Sequence, residues 1–482
     1  MALTLFALVL ILSIVIALLA RKGLIAANMS DIMVASGSFG AFLLFFISVG
    51  EIYSIGTLIG APGAVYSKGA NYGIWFICYI LLAYVVGYLL NPAIWKLGQL
   101  SKAVTIADLF GWRFNSKAMQ VLVALVCILF LIPWVQNQFA GMAILLKYLD
   151  LGINFGTAVV VSALIAFVYI AAAGIRSSAY VSILKDFLLI MAVVAVGTAA
   201  IVASPNGVSG IFHSVAQKMP HMLTVTTHPV TAGATFTLST ILFQMLGFYM
   251  LPFTLQGTLS SKSARNLRKN AVLMPIYMVM FPFLMIAAYF ALVNIPGLEK
   301  PDFALLAVAV QHLPGWVIGT IAGGGALTAI LVMAFTALSV GGLFSKNILA
   351  VIKPDMGQAQ MVRWTQIVTA VFLAAGVVMT LYYPALMAGV ITVSYSGLTQ
   401  TFVGLFFAFF WKGCTKWGVG AGLLAGVIYL FLPVAAPYGL NKGIIAMAIN
   451  VLASVLVSLL TQPDAETQGR FEIYKQFKET AA

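Results

Sequence analysis

Apolar runs long enough to cross a bilayer recur along the chain, separated by short polar segments. A run of about 18 residues or more spans the hydrocarbon core as a helix, whereas the strands of a membrane barrel alternate apolar and polar positions. The pattern therefore predicts an all-α polytopic membrane protein. We predict thirteen transmembrane helices, over 3–20, 37–66, 72–92, 118–147, 154–174, 179–203, 234–258, 270–294, 314–345, 362–383, 386–411, 417–434 and 441–461.

The basic residues divide unevenly between the two sides of these spans. Nineteen of the 25 lysines and arginines fall on one side, five fall on the other, and Lys185 lies inside a span. Because loops rich in lysine and arginine stay in the cytoplasm, the richer side is predicted to be cytoplasmic, with an external N-terminus and a cytoplasmic C-terminus. The net charge of +13 therefore reflects membrane orientation and does not indicate a nucleic-acid partner.

The composition limits the chemistry of the chain. It is 62% hydrophobic and 8% charged, whereas soluble domains carry about 25% charged residues. Cys78, Cys127 and Cys414 lie in or near apolar runs without a pairing pattern, so we expect free thiols. The four histidines have no metal-ligand spacing, and the sequence has no nucleophile–base pattern or phosphate-binding loop. We therefore expect no metal, no cofactor and no enzymatic activity.

The predicted spans contain two sets of five helices with opposite orientation. The first set starts on the cytoplasmic side and the second on the external side, as in an inverted repeat. The predicted organisation is an N-terminal extra helix with a cytoplasmic loop (1–36), a first repeat (37–203), an external loop (204–233), a second repeat (234–411), two C-terminal helices (412–461) and a cytoplasmic tail (462–482).

The first repeat opens with an apolar run whose centre is polar. Its centre holds two glycines, a carboxyl group, a phenol and two hydroxyls: Gly50, Glu51, Tyr53, Ser54, Gly56 and Thr57. A carboxylate at mid-bilayer costs about 2.5–3.5 kcal/mol on insertion scales, so it normally faces a partner or a water-filled cavity. We predict an interrupted helix that lines a transport site. The alternative is a kinked structural helix in which Glu51 caps the backbone of a neighbour.

The second repeat opens with a corresponding interruption at Gly247–Pro252. Its proline removes one backbone hydrogen bond, and its glycine permits close approach of a neighbour. Paired broken helices in inverted halves point to a binding site where they meet. The candidate substrate contacts at this break are Gln244, Phe248, Tyr249 and Phe253. A simple proline kink is the alternative.

Lys185 is the only basic residue deep inside a predicted span, and Asp186 follows it. A lysine amine beside Asp186 or Glu51 would form a pH-sensitive ion pair suited to proton coupling. Two alternatives stay open at this point. Lys185 could extend its amine to the cytoplasmic surface, and the pair could be purely structural.

Other spans carry polar residues near the predicted midplane. Residues 136–138 are three consecutive amides that cannot all face lipid, and we expect Gln138, with Trp134 one turn before it, to face the cavity. Thr336 and Ser339 come from the ninth predicted span. A single hydroxyl in a helix more often bonds its own backbone than a ligand, so the cluster carries the prediction rather than any one member.

Three segments outside the spans receive their own predictions. Residues 93–117 are basic and amphipathic and are predicted to lie along the cytoplasmic interface. Residues 303–312 have helical spacing of apolar positions and are predicted to cover the site from outside. The tail over 462–482 is charged and is predicted to be a solvated end.

Three motifs occur in a characteristic order along the chain. They are GAPGAVY at Gly60–Tyr66, TIADLF at Thr105–Phe110 followed by Arg113-Phe114, and GIR at Gly174–Arg176 followed by Lys185-Asp186. In this order they resemble the sodium:solute symporter family, which shares the inverted-repeat fold of LeuT. The resemblance covers almost the whole chain and implies a LeuT-like fold with two broken helices.

Two of the matches narrow the resemblance within the family. The segment Gly50–Ser54 fits G-(D/E)-x-Y-(T/S) in the first broken helix, and Lys185-Asp186 fits K-D in the fifth repeat helix. Both are similar to the monocarboxylate permeases of bacteria. The resemblance implies uptake of a small organic acid such as lactate, pyruvate or acetate, with alanine as a further candidate, across a bacterial cytoplasmic membrane. Phe253 stands where that branch tends to have histidine, which weakens the assignment of the substrate.

Departures from the family pattern concern the coupling ion. Sodium-coupled members carry two adjacent hydroxyl residues in the eighth repeat helix, where this chain has Leu331-Val332, and a hard cation needs oxygen ligands. A family aspartate aligns with Ser182. In sodium-independent relatives of the fold a lysine occupies the ion position, so the resemblance implies proton coupling or uniport with Lys185 in that position. Sodium coupling through a displaced site that uses Glu51 with two hydroxyls of the ninth span stays open.

The sequence thus predicts a secondary active transporter that works by alternating access. The predicted substrate contacts are Glu51, Tyr53, Ser54, Thr57, Trp134, Gln138, Gln244, Phe248, Tyr249 and Phe253. The predicted coupling residues are Glu51, Ser182, Lys185, Asp186, Thr336 and Ser339. The predicted partners are a small organic acid and the lipid bilayer. The sequence also allows a small membrane protein as a partner, and either a monomer or a weak homo-oligomer. A transporter-like ligand sensor is the alternative from another class, disfavoured because the tail after residue 461 is short.

Overall fold

A computed structural model describes residues 2–21, 28–148, 154–172, 175–225, 228, 233–383 and 386–480. These residues form helices and no strand, with one isolated bridge between Phe39 and Ser261, which confirms the all-α class. Among them, nine helices are long and apolar enough to cross a membrane, or eleven if each of two bent pairs is one span. Apolar stretches at Phe155–Ile165 and Lys416–Phe431 are shorter, so the count of thirteen stays a prediction.

Before residue 233 the helices are α1 (Ala2–Arg21), α2 (Met29–Val34), α3 (Ala41–Ile52), α4 (Ala61–Lys68), α5 (Ala70–Ser101), α6 (Ile106–Arg113), α7 (Lys117–Tyr148), α8 (Phe155–Ala172), α9 (Ile175–Ala203) and α10 (Gly207–Lys218). Gly174 of the predicted motif and residues 226, 227 and 229–232 of the predicted external loop lie outside the described residues.

After residue 233 the helices are α11 (Ala234–Gly247), α12 (Pro252–Leu259), α13 (Ala264–Leu273), α14 (Phe281–Asn294), α15 (Ala304–His312), α16 (Gly315–Phe344), α17 (Ala350–Ile352), α18 (Gln358–Tyr382), α19 (Met387–Leu398), α20 (Gln400–Phe410), α21 (Lys416–Phe431), α22 (Lys442–Leu460) and α23 (Ala465–Thr480). Turns of 3-10 helix lie at Ala35–Gly37, Pro220–Leu223, Phe248–Met250, Met274–Met280, Pro301–Phe303 and Pro437–Gly439, and π-helical turns at Gly56–Gly60 and Ser345–Leu349.

Both helix breaks lie where the sequence predicts them. The first break separates α3 from the arm Gly56–Lys68, which contains α4, and the two arms are bent by 52°. The second separates α11 and its 3-10 turn from α12, with a bend of 51°. Leu251 is extended (φ −61°, ψ 121°) because the ring of Pro252 disfavours a helical residue before it.

The helix α16 is the most buried long span and contacts α1, α7, α9 and α18. The first broken helix lies beside it and packs on α9, where a Cβ at Gly50 would overlap the side chain of Ser182. This close approach brings the next turn of α9, which carries Lys185, to the first break. The distribution of lysines and arginines between the loops predicts which face of the molecule is cytoplasmic. Asp108 lies on the predicted cytoplasmic face, and Asp302 lies on the predicted external face.

The structure adds detail to the two predicted cytoplasmic segments, whose placement at the membrane stays a prediction. Residues 93–101 belong to α5, which continues to Ser101, and the eight-residue helix α6 packs on α7. The tail forms α23, which packs on α5 and α6 with Tyr474 buried. It is held there in part by Arg113, whose guanidinium is buried and donates to the carbonyl oxygens of Ala408 (2.9 Å) and Thr467 (2.9 Å). A buried guanidinium needs such acceptors, and the tail supplies one of them.

Candidate transport site

Lys185 lies at the first helix break and not at the membrane surface. Its side chain is fully buried, and its Nζ donates to the carbonyl oxygens of Gly50 (3.4 Å) and Tyr53 (3.1 Å). Both carbonyls lack their usual helical donors, because the N–H of Ser54 bonds Ile52 and the N–H of Thr57 bonds Ser54. The ammonium therefore replaces two backbone donors that the break removes.

Asp186 forms an ion pair with the same ammonium, at 2.6 Å between Lys185 Nζ and Asp186 Oδ1. Both side chains are buried. The Tyr277 hydroxyl donates to the backbone carbonyl of Asp186 (3.2 Å), and the Tyr277 ring lies 4.5 Å from the ring of Tyr53. Removing one partner of a buried pair typically costs about 3–5 kcal/mol, so the two charges depend on each other.

Glu51 is buried between the two broken helices. Neither carboxyl oxygen has a hydrogen-bond partner among the described residues. The side chain lies against α12, where a Cβ at Gly257 would be 2.8 Å from Oε2. The alternative in which Glu51 caps a neighbouring backbone finds no such hydrogen bond in the described part of the chain. A buried ionised carboxyl without a partner is costly, which makes this group unusual for a purely structural residue.

A continuous aromatic cluster joins the two breaks. Its first link is a hydrogen bond of 2.5 Å between the hydroxyls of Tyr53 and Tyr84. The ring contacts that continue it are Tyr84–Phe248 (6.1 Å), Phe248–Tyr79 (6.3 Å), Tyr79–Tyr395 (5.6 Å), Tyr395–Trp134 (5.7 Å), Trp134–Phe253 (5.5 Å) and Phe248–Tyr249 (5.2 Å). Five predicted substrate contacts are thus brought together, and Tyr79, Tyr84 and Tyr395 complete the cluster. Sequence analysis missed Tyr79 and Tyr84 because their span, α5, carries no helix break.

Four other predicted contacts lie nearby and are engaged in different ways. Ser54 Oγ accepts from the N–H of Gly56 (3.1 Å), while Thr57 is buried in the same turn. Gln244 Oε1 accepts from the indole of Trp75 (2.6 Å). Gln138 Nε2 donates to a carbonyl of its own helix (3.4 Å). The second polar atom of each glutamine has no partner among the described residues, so each amide keeps one group for a ligand.

Asn137, the neighbour of Gln138, has a stronger claim to a ligand. It is 1% exposed, and neither its Oδ1 nor its Nδ2 has a partner within the described ranges. Its Nδ2 touches the first break, where a Cβ at Gly56 would be 2.6 Å away. The three consecutive amides were the available signal, but sequence alone did not show how α7 is rotated.

The three predicted coupling hydroxyls all bond their own helices. Ser182 donates to Ser178 (2.9 Å), Thr336 to Val332 (2.7 Å), and Ser339 to Phe335 (2.8 Å). The Ser339 hydroxyl also lies 2.8 Å from Oε1 of Gln256 in α12. These hydroxyls follow the ordinary behaviour of serine and threonine in buried helices, and each keeps a lone pair.

The comparisons with known proteins agree with this architecture. The family model described as the sodium:solute symporter family matches residues 32–426. An uncharacterized symporter of Bacillus subtilis, YhjB, is 30% identical over 473 residues, which cover 94% of this chain and 96% of that protein. A monocarboxylate transport permease protein of Rhizobium johnstonii is 24% identical over 475 residues, 93% of this chain and 94% of that protein.

A solved structure adds the fold. A Na⁺-coupled sialic acid symporter in a substrate-bound outward-open state aligns with a TM-score of 0.78 at 16% identity, over 96% of this chain and 98% of the other. The family and this structural neighbour are transporters and not enzymes. The resemblance inferred from the motifs is confirmed, and the chain belongs to the sodium:solute symporter family.

Proposed function

We propose that the chain is a proton-coupled, sodium-independent symporter that takes up a small monocarboxylate by alternating access. The observation that carries this proposal is the Lys185 ammonium at the carbonyls of Gly50 and Tyr53. The ammonium already takes these two carbonyl oxygens, which a sodium ion at the first break would need as ligands. Leu331 and Val332 on α16 offer no side-chain oxygen in their place.

We assign the coupling proton to Glu51. Its carboxyl group can gain or lose a proton without breaking a hydrogen bond, because it has no partner among the described residues. It also lies between the first broken helix and α12, so its charge bears on how these two elements pack. Asp186, in contrast, balances Lys185 and serves in this proposal as a fixed counter-ion.

The substrate carboxylate is assigned to the space between the breaks. The first turn of α12 has no side-chain cap, and uncapped N–H groups at a helix N-terminus attract an anion. Trp134 and Phe253 supply an apolar wall that suits a short alkyl chain. The Rhizobium relative, named as a monocarboxylate permease, supports the same class of substrate.

A sodium-coupled symporter is the second candidate. Two observations favour it. The structural neighbour is Na⁺-coupled. Thr336 and Ser339 each keep a lone pair beside α12, the helix against which the side chain of Glu51 lies. In this candidate Glu51 would be a ligand of the ion rather than a carrier of the proton. The two candidates differ in one measurable property, which is the dependence of uptake on external sodium.

Uptake into proteoliposomes tests the proposal. We expect an inward proton gradient to drive accumulation of labelled L-lactate or pyruvate in sodium-free choline buffer, with the membrane potential clamped by potassium and valinomycin. Dissipating the gradient with a protonophore should abolish accumulation. Accumulation that requires sodium and ignores the proton gradient would overturn the coupling, and counterflow with other acids or alanine would then identify the solute.

We also propose a bacterial cytoplasmic membrane with an external N-terminus and a cytoplasmic C-terminus. Nineteen basic residues on one side against five on the other support this orientation. Reporter fusions at the two ends that are active on opposite sides of the membrane would agree with it, and reporters active on the same side would contradict it.

A further inference from the structure

A cavity lies at the predicted external face, between α7, α18, α19 and the segment Pro301–Phe303. Its polar lining comes from Gln136, Asn137, Lys300, Asp302 and Thr380, while Met387 contributes to an apolar wall. None of these residues belongs to the aromatic cluster between the breaks.

The outer end of this cavity carries a positive charge. The ammonium of Lys300 lies 4.1 Å from the ring centroid of Phe155, so a cation–π contact holds it at the cavity wall. Among the described residues, no carboxylate forms an ion pair with it. The nearby Lys147 differs, because it is paired with Glu299 at 2.8 Å and does not line the cavity.

The inner end of the cavity carries two neighbouring amide side chains, one hydrogen-bonded and one unpaired among the described residues. Gln136 donates to the carbonyl oxygens of Met379 (3.1 Å) and Tyr383 (2.8 Å), which fixes its side chain. Asn137, one residue further, is buried with both polar atoms unpaired among the described residues. A buried polar group without a partner is costly, so an amide kept in this state next to a cavity indicates a ligand.

Asp302 lies in the same wall and is held by the first turn of α19. Its Oδ2 accepts the N–H of Met387 (3.3 Å), while Oδ1 is buried without a partner in the described part of the chain. Burial raises the pKa of this carboxyl to about 7, against the opposing effects of the Met387 N–H and of Lys300. Near neutral pH the group is therefore partly protonated, and its repulsion of an anion is weakened.

Two apolar side chains separate this cavity from the first break. A Cβ at Gly60 would be 3.1 Å from Met387, and a Cβ at Gly56 would be 2.9 Å from Ile391. Both side chains belong to α19 and cover the glycines of the broken helix. A solute at Asn137 would thus lie next to the first break, whose glycines these two side chains cover.

We propose that this cavity is an entrance site, in which a small carboxylate binds between the ammonium of Lys300 and the amide of Asn137 before the first break opens. Lys300 attracts the anion and Asn137 Nδ2 donates to it. The site rests on the proposed function in one respect, namely that the solute is an anion. It assigns a role to Lys300, which lies outside the central site, and a ligand to the unpaired amide of Asn137.

Thiol labelling tests the site without any transport measurement. Ala140, on the cavity wall, is changed to cysteine in a background without Cys78, Cys127 and Cys414. Membrane-impermeant anionic and cationic methanethiosulfonates are then applied to spheroplasts, which expose the predicted external face. We expect the anionic reagent to react, and its rate relative to the cationic reagent to fall roughly tenfold in Lys300→Gln. Lys147→Gln is the matched control, because it removes one external positive charge outside the cavity.

Three outcomes would overturn the inference: no labelling from outside, no preference for the anionic reagent, or an equal fall in Lys147→Gln. L-lactate should slow the labelling of Ala140→Cys, and Asn137→Ala should weaken that protection. Val390→Cys, on the same cavity, replaces Ala140→Cys if the latter does not fold. Measurement of uptake distinguishes the two proposals. If the anionic reagent is preferred but lactate is not taken up, only the proposed function is contradicted. If a proton gradient drives lactate uptake but the anionic reagent is not preferred, only the entrance site is contradicted.

Discussion

The two helix breaks are bent almost equally, by 52° and 51°, but their chemistry differs. At the first break a buried ammonium bonds two carbonyls, and a buried carboxyl group has no partner among the described residues. At the second break the contacts are those of aromatic rings and amides, such as Phe253 on Trp134 and Gln244 on Trp75. The same backbone device thus serves two purposes. We infer that charge coupling belongs to the first break and solute recognition to the second.

The largest effect is expected from Lys185, on which the first break depends. Lys185→Ala should abolish proton-driven accumulation, because it removes the fixed cation from the carbonyls of Gly50 and Tyr53. It should also lower the melting temperature, since Asp186 is left buried and unpaired at a typical cost of about 3–5 kcal/mol.

A double variant separates these two consequences. Lys185→Gln with Asp186→Asn removes both charges together, so the melting temperature should recover while accumulation stays absent. Accumulation that returns with stability would show that the pair is purely structural, and the contrast between the breaks would then be lost.

Glu51→Gln should have the next largest effect. The amide has nearly the same shape as the carboxyl group but cannot carry the proton, so accumulation against a gradient should fall about 100-fold. Exchange of internal for external lactate, which needs no net proton movement, should persist. Loss of exchange together with accumulation would place Glu51 in solute binding instead, and a sodium requirement in exchange would favour the second candidate function.

Phe253→Ala should affect the second break alone. Loss of the ring that packs on Trp134 should raise KM for lactate roughly tenfold, which corresponds to about 1.4 kcal/mol, while the dependence of uptake on pH stays as in the parent chain. A change in the pH profile would contradict the division of labour between the breaks. Phe402→Ala, on α20 and away from the cluster, is the matched aromatic control.

The positions of both breaks could be predicted because their causes are local. Pro252 and the glycines act on their own backbone, and their spacing is visible in the sequence. The carbonyl partners of Lys185 could not be predicted, because they depend on how closely α9 packs on α3 at Gly50 and Ser182. That contact joins residues more than 130 positions apart.

Helix rotation and distant partners explain the other differences. Gln138 and Asn137 are neighbours whose side chains point about 100° apart around α7. The rotation of α7 about its axis, which the sequence does not give, therefore decides which amide meets the cavity. The tail was predicted to be solvated because its charges are obvious, whereas its role as an acceptor for Arg113 lies in a backbone carbonyl that no side-chain pattern reports.

A smaller effect is expected from Ser339→Ala, which tests the sodium alternative at the second break. The variant loses the contact with Gln256 Oε1, which joins two helices and in the proposed function does not bind the solute. Lactate uptake in sodium-free buffer should therefore stay within about threefold of the parent chain. If Ser339 ligates sodium, uptake should instead fall steeply and become responsive to added sodium. That result would assign ion coupling to the side of α16 that faces the second break.

The smallest effect concerns the arm Gly56–Lys68 of the first break, against which Asp302 packs at Gly63. Burial raises the pKa of Asp302 to about 7 in the folded chain, above the value of about 3.9 for an unfolded aspartate. Because the folded chain holds this proton more tightly, the contribution of Asp302 to stability is fully present below about pH 4 and is lost as the pH rises towards 7. Asp302→Asn keeps an acceptor for the Met387 N–H and cannot ionise. Its melting temperature should therefore exceed that of the parent chain by an amount that grows from pH 5 to about pH 7 and then levels off at about 1–3 °C. A constant difference across this range would show that Asp302 is ionised throughout, and the first break would then carry a fixed negative charge at its external end as well as the ion pair at its centre.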